Sequence, residues 1–117
     1  MKIFADKELQ QEINEIYFGK VKAGEEKVLT VYLFNETKAI FANLAFEVMV
    51  REKTPKEIIE IPNPPLTIQP GTAEPLILKW RPTRNFKEAL EVGLRITGEE
   101  VYTAKRLIPV EKEVTQS

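Results

Sequence analysis

Two pairs of neighbouring glutamates, Glu25-Glu26 and Glu99-Glu100, are the residues of this 117-residue chain whose type and spacing come nearest to catalytic chemistry. Paired carboxyls about 5 to 10 Å apart can act as acid, base or nucleophile in glycoside hydrolysis. Both pairs adjoin a turn glycine, Gly24 or Gly98, so solvated surface side chains are the expectation there. The chain has no histidine and no cysteine, and its one serine is Ser117. Ser-His and Cys-His nucleophile pairs are thereby excluded, as are imidazole and thiolate ligands for zinc, copper or haem. The five glycines never take the GxGxxG or GxxxxGK[ST] spacings that cradle phosphate. Asp6 is the only aspartate, which disfavours a calcium loop. The expectation is a protein that is not an enzyme and has no cofactor and no metal.

With catalysis set aside, composition bounds what remains. Apolar residues make up 43% of the chain and charged residues 30%, the balance of an ordinary globular domain. At this length folding buries roughly two-thirds of the unfolded chain's surface, enough for an independent core. The 17 basic and 18 acidic residues are interleaved, giving a formal charge of −1. Nucleic-acid binding needs clustered Lys and Arg, so no nucleic-acid partner is expected. No window approaches 18 apolar residues and no leader-like apolar run follows the start, which points to a cytoplasmic protein with no membrane partner. The Glu- and Lys-rich, cysteine-free balance is compatible with a thermophilic source.

Period-two alternation, the mark of half-buried strands, recurs along the chain. Leu29, Val31 and Leu33 form one apolar face, and Leu44, Phe46, Val48 and Val50 a second. Leu76, Leu78 and Trp80 form a third, and Leu90, Val92, Leu94 and Ile96 a fourth. Weaker strands are expected over residues 13–18, 57–61, 65–68 and 101–108. Lys22-Ala23-Gly24-Glu25 and Gln69-Pro70-Gly71-Thr72 read as reversals. Pro55, Pro62, Pro64 and Pro65 mark the middle of the chain as an edge strand or a switch between sheets. A short turn with Asp6 as its cap is expected near residues 6–12. The sum is an all-β, immunoglobulin-like Greek-key β-sandwich of seven or eight strands over residues 13–110. An N-terminal arm, 1–12, and a flexible tail, 111–117, are expected to flank it.

Ile16-Tyr17-Phe18-Gly19-Lys20-Val21-Lys22-Ala23-Gly24 followed by Val31-Tyr32-Leu33-Phe34-Asn35 resembles the start of abnormal-spindle/hydin-type and major-sperm-protein-like immunoglobulin domains. Leu66-Thr67-Ile68-Gln69-Pro70-Gly71, then Leu76, Leu78, Trp80 and Pro82, is similar to the turn and following strand of that family. The resemblance spans roughly residues 13–98. It implies a sandwich with Phe18 and Val21 plugging one end, and a role in scaffolding and protein contacts. A looser resemblance, in size and in the absence of chemistry, is to small virion proteins of tailed bacteriophages.

A binding function needs a surface. Tyr32 and Phe34 fall on the outward face of the first clear strand and Ile77 on that of the third. Ile40 and Phe41 stand in the expected connection over residues 35–42. These five are the candidate protein contacts. For the outward-facing aromatics the alternative is cover by the N-terminal arm, and for Ile40 and Phe41 it is closure of the core's end. Tyr17 shares the first ambiguity. The functional expectation is a structural protein of a virus particle, a capsid decoration or a tail or neck component, binding capsid or tail proteins in many copies and forming homo-oligomeric contacts within the assembly. Its place would be the virion, after synthesis in the host cytoplasm. The alternative is a cytoplasmic adaptor binding a cellular scaffold protein or peptide. A sugar-binding module is disfavoured, because Trp80 is the only tryptophan and points inward.

Overall fold

The alternating segments become seven strands in the computed structural model, which describes residues 1–14, 16, 18, 22–50, 58–83, 92–102 and 107–115. They are β1 (Lys2–Phe4), β2 (Lys27–Phe34), β3 (Ile40–Val50), β4 (Ile59–Glu60), β5 (Ala73–Trp80), β6 (Val92–Val101) and β7 (Leu107–Thr115). No helix occurs among the described residues. One sheet has the order β1-β2-β5-β4 and the other β3-β6-β7, with every pairing antiparallel. That is the ABED and CFG arrangement of a constant-type immunoglobulin sandwich.

The four clear strands are where the alternation placed them. Val31 and Leu33 of β2, Leu76, Leu78 and Trp80 of β5, and Val92, Leu94 and Ile96 of β6 are all buried in one cluster with Ile3, Ile16 and Val114. Leu90, Tyr17, Gly19, Val21 and the side chain of Val50 lie outside the described residues. Antibody domains centre their core on a tryptophan against a disulfide. Here cysteine is absent, and Trp80, 1% exposed, meets the edge of Phe18 with ring centroids 5.4 Å apart and planes at 71°.

The proline-rich middle does both things its composition allowed. Ile59–Glu60 pairs with β5 in the first sheet, and by Ile68 the chain has crossed to the second, exchanging two hydrogen bonds with Phe41. Pro70 and Gly71 then reverse it into β5, with Gly71 at φ 68°, as a type II turn requires. Asn35, 0% exposed, organises this end of the molecule. Its side-chain amide donates to the carbonyls of Ala39 at 2.7 Å and Ile68 at 3.0 Å, and its Oδ1 accepts from the Thr37 N–H and hydroxyl. Its own backbone closes the ring, N–H to Thr72 O and O to Gly71 N–H.

β3 contains a bulge where Asn43 and Leu44 oppose the single residue Gly98. Asn43 takes the left-handed backbone, φ 52°, that such a bulge calls for, and its amide reaches Glu99 at 2.8 Å. Gly98 has no room for a side chain: a Cβ there would lie 2.8 Å from Leu44 Cδ2 and 3.0 Å from the Ala42 carbonyl oxygen.

The two ends of the chain differ from expectation. Residues 2–4 form β1 on the edge of β2, and residues 11–13 fold back along it through Ala5 N–H to Gln11 O and Ile13 N–H to Ile3 O. The turn between them is no helix; the Asp6 carboxylate caps it by accepting from the N–H groups of Gln10 and Gln11. β7 continues to Thr115, paired with β6. Its charged sequence reads as a tail because β7 is an edge strand, half of whose positions face water.

Replacing Asn35 with alanine should take one donor from each of the buried Ala39 and Ile68 carbonyls and leave the Thr37 N–H without its acceptor. Urea unfolding of Asn35→Ala is expected to show a loss of about 2 to 3 kcal/mol with an unchanged m-value.

Candidate functional site

Register sets out, row by row, the face of the first sheet turned away from the core. Lys2, Phe34 and Ala73 form one row; Phe4, Tyr32 and Pro75 the next; then Thr30 and Ile77; then Val28, Lys79 and Glu60. A sheet covered on one side alternates apolar inward with polar outward. On this sheet the outward rows are largely apolar instead. Tyr32, Phe34 and Ile77 are each half-buried by their neighbours, Pro75 is exposed, and Val28 is 50% exposed. Charged residues stand at the two ends, Lys2 at one and Lys79 with Glu60 at the other.

Three of the five sequence candidates, Tyr32, Phe34 and Ile77, are therefore brought together on one surface. Cover by the N-terminal arm is also present, in part. Phe4 of β1 lies edge-on to Phe34, centroids 6.2 Å apart and planes at 77°, and is buried although it stands outside the main core cluster. The arm thus shields Phe34 from one side and extends the apolar face by a ring.

Ile40 and Phe41 do not join it. The connection expected over residues 35–42 is shorter, because β3 already begins at Ile40. Ile40 is half-buried opposite Val101 on the second sheet. Phe41 is 0% exposed inside the core and bonded through its backbone to Ile68, so it has no surface to offer a partner. Its neighbours on the polar Asn35–Lys38 loop make it read as displayed; pairing with residue 68, distant in sequence, draws it inward.

Phe4, Pro75 and Val28 were missed. Lys2–Phe4 is too short to show a period, and Pro75 looks like a strand breaker. Proline is tolerated there because β4 pairs with β5 only at Lys79 and Trp80, leaving that side of Pro75 without a strand neighbour among the described residues.

Two carboxylates hold the arm in place. Partial burial, the largest single influence, would raise the Glu36 carboxyl, but the hydrogen bond from the Met1 ammonium, Glu36's own N–H and the charges of Met1 and Lys2 together outweigh it and leave the pKa below its ordinary value. Asp6 is lowered too, first by the Gln11 N–H, against an opposing effect of burial, and then by the N–H groups of Gln10 and of Asp6 itself.

Comparison with protein-family models finds no match to the chain, and a search of curated proteins finds none. The β-sandwich stands on the strand order and register alone.

The paired glutamates do not converge. Glu99 and Glu100 are consecutive in β6 and point to opposite faces; Asn43 donates to the first and the Tyr102 hydroxyl, at 2.7 Å, to the second. Glu26 lies 3.9 Å from both Lys79 and Arg81. Among the described residues no group of three or more Asp or Glu side chains is placed to hold a metal ion.

Two outcomes follow. Phe41→Ala should cost about 3 to 5 kcal/mol in urea unfolding, the loss typical of a buried ring. Because the folded pKa values of Glu36 and Asp6 are depressed, their contribution is full above the unfolded values near about 4 and is lost as pH falls through the folded ones. Amide protection factors of residues 2–4, corrected for the intrinsic pH dependence of exchange, should therefore fall in acid ahead of those of the core, and Glu36→Gln should show the lower protection already at neutral pH.

Proposed function

We propose that the protein is a non-enzymatic structural component that binds a protein lattice through the outer face of its first sheet, as a capsid decoration or a tail or neck component of a virus particle. The observation behind this reading is two adjacent outward rows, Phe4 with Tyr32 and Pro75 and then Thr30 with Ile77, mostly apolar where water would favour polar side chains. Such a patch rimmed by charge suits a protein interface. The partner is a second apolar surface carrying both signs of charge at its margin, to meet Lys2 at one end and Lys79 with Glu60 at the other.

Kinship with abnormal-spindle/hydin-type and major-sperm-protein-like domains belongs to the same proposal. The residues behind that resemblance serve structural ends: Phe18 and Trp80 pack at one end of the core, while Asn35, Pro70 and Gly71 close the other. None of them presents chemistry, which is consistent with a scaffold used for contacts.

Density-gradient sedimentation of a native lysate from the source, with the protein followed by mass spectrometry, tests the assembly reading. Migration with a megadalton particle in capsid- or tail-like copy number is the expected result. Migration as a free small protein or a small stoichiometric complex overturns it in favour of a cytoplasmic adaptor. Tyr32→Glu and Ile77→Glu should abolish co-migration while shifting unfolding free energy by no more than about 1 kcal/mol, the range for changes away from the core.

A further inference from the structure

Sheet edges invite unwanted strands, and proteins blunt them with short strands, proline, inward charges or a covering segment. Three edges of this sandwich are treated so. β1 is covered by residues 11–13; β4 is two residues long and followed closely by Pro62; β7 contains Pro109, which has no N–H, and places Lys112 opposite the inward-facing Ile96. The fourth edge, β3, is covered only in its first half, where Phe41 bonds Ile68 and Leu44 N–H bonds Leu66 O at 3.1 Å. From Ala45 to Met49 it has no proline, no lysine and, among the described residues, no strand beside it.

A groove lined by apolar residues lies beside this stretch. The chain runs from β4 in the first sheet to join the edge of β3 only at Leu66. Phe46 and Val48 line one wall and Ile59, Ile61 and Pro64 the other. In variable-type immunoglobulin domains the corresponding edge carries an additional strand.

We propose that the β3 edge over Ala45–Met49 binds an extended segment of another protein by strand addition, with apolar side chains at alternate positions in the groove and a lysine or arginine between them, facing outward over Glu47. Backbone hydrogen bonds supply the affinity in this mode and the alternate pockets the selectivity. Charge selects the partner. Glu47 is exposed, and its register neighbour Arg95 is held instead by Glu111, Nη2 to Oε1 at 3.0 Å, so no ion pair among the described residues reaches it. A second copy is the poorer occupant: two-fold pairing of β3 with itself sets the Glu47 carboxylates opposite or diagonal to each other, and like charges so placed repel. This site is separate from the outer face of the first sheet, and neither reading depends on the other.

The test uses the full chain, labelled with nitrogen-15, and two capped peptides, Thr-Val-Lys-Val-Thr and Thr-Val-Glu-Val-Thr. The lysine peptide should bind roughly three- to tenfold more tightly and slow amide exchange within Ala45–Met49, and Glu47→Lys should reverse the preference. Four results overturn the proposal: no binding up to the peptides' solubility limit, equal affinity for both peptides, perturbations centred on Tyr32 and Ile77, or dimerisation of the free chain through β3.

Discussion

Among the described residues Asn35 is the one buried polar residue, set at the junction of β2, the β2–β3 loop and the segment before β5, and the sandwich closes around its bonds. A buried amide is costly unless each of its groups is paired. Here both side-chain N–H donors, the side-chain oxygen and both backbone groups have partners from three stretches of chain. An apolar residue of similar size could fill the space, but it would take one donor from each of the Ile68 and Ala39 carbonyls and leave the Thr37 N–H without its acceptor. The network therefore sets where Ile68 lies, and Ile68 in turn draws Phe41 into the core and covers half of the β3 edge.

This constraint explains why the second sheet has one guarded half-edge and one open one. Residues 66–68 follow β3 only as far as Leu44, because the chain comes to them from β4, whose Ile59–Glu60 is paired in the first sheet. The bulge at Asn43 and Leu44 sits at the point of departure, and Gly98 allows it by leaving space for the Leu44 side chain. Sheet switching, bulge and groove are one geometric event: a single segment divided between two sheets leaves a wedge between them.

What was legible in the sequence follows the length of each strand and the number of its buried faces. β2, β5 and most of β3 and β6 show clean alternation because they are long and packed on one side. The Gly24 and Gly71 reversals were legible because positive φ selects glycine. Residues 2–4 and 107–115 read as arm and tail because edge strands draw stability from a neighbour's backbone, which leaves little trace in side-chain type. Phe41 misled for the complementary reason: its burial depends on a partner 27 positions away, Ile68, and no local period encodes that.

The same logic separates the two candidate surfaces. Tyr32, Phe34 and Ile77 could be found from alternation alone, since an aromatic at an outward position breaks the expected pattern within a single strand. The groove at β3 could not, because Phe46 and Val48 are ordinary inward residues by sequence, and only the tertiary arrangement leaves them partly buried with Ile59 and Ile61 across a groove. A surface of the first kind is written in residue type. One of the second kind arises from topology, and its selectivity rests on Glu47, an unremarkable outward glutamate until Arg95 is seen to pair with Glu111. Edge and face thus pose different demands on a partner: the face asks for apolar area with charge at its rim, whereas the edge asks for an extended backbone and one well-placed cation.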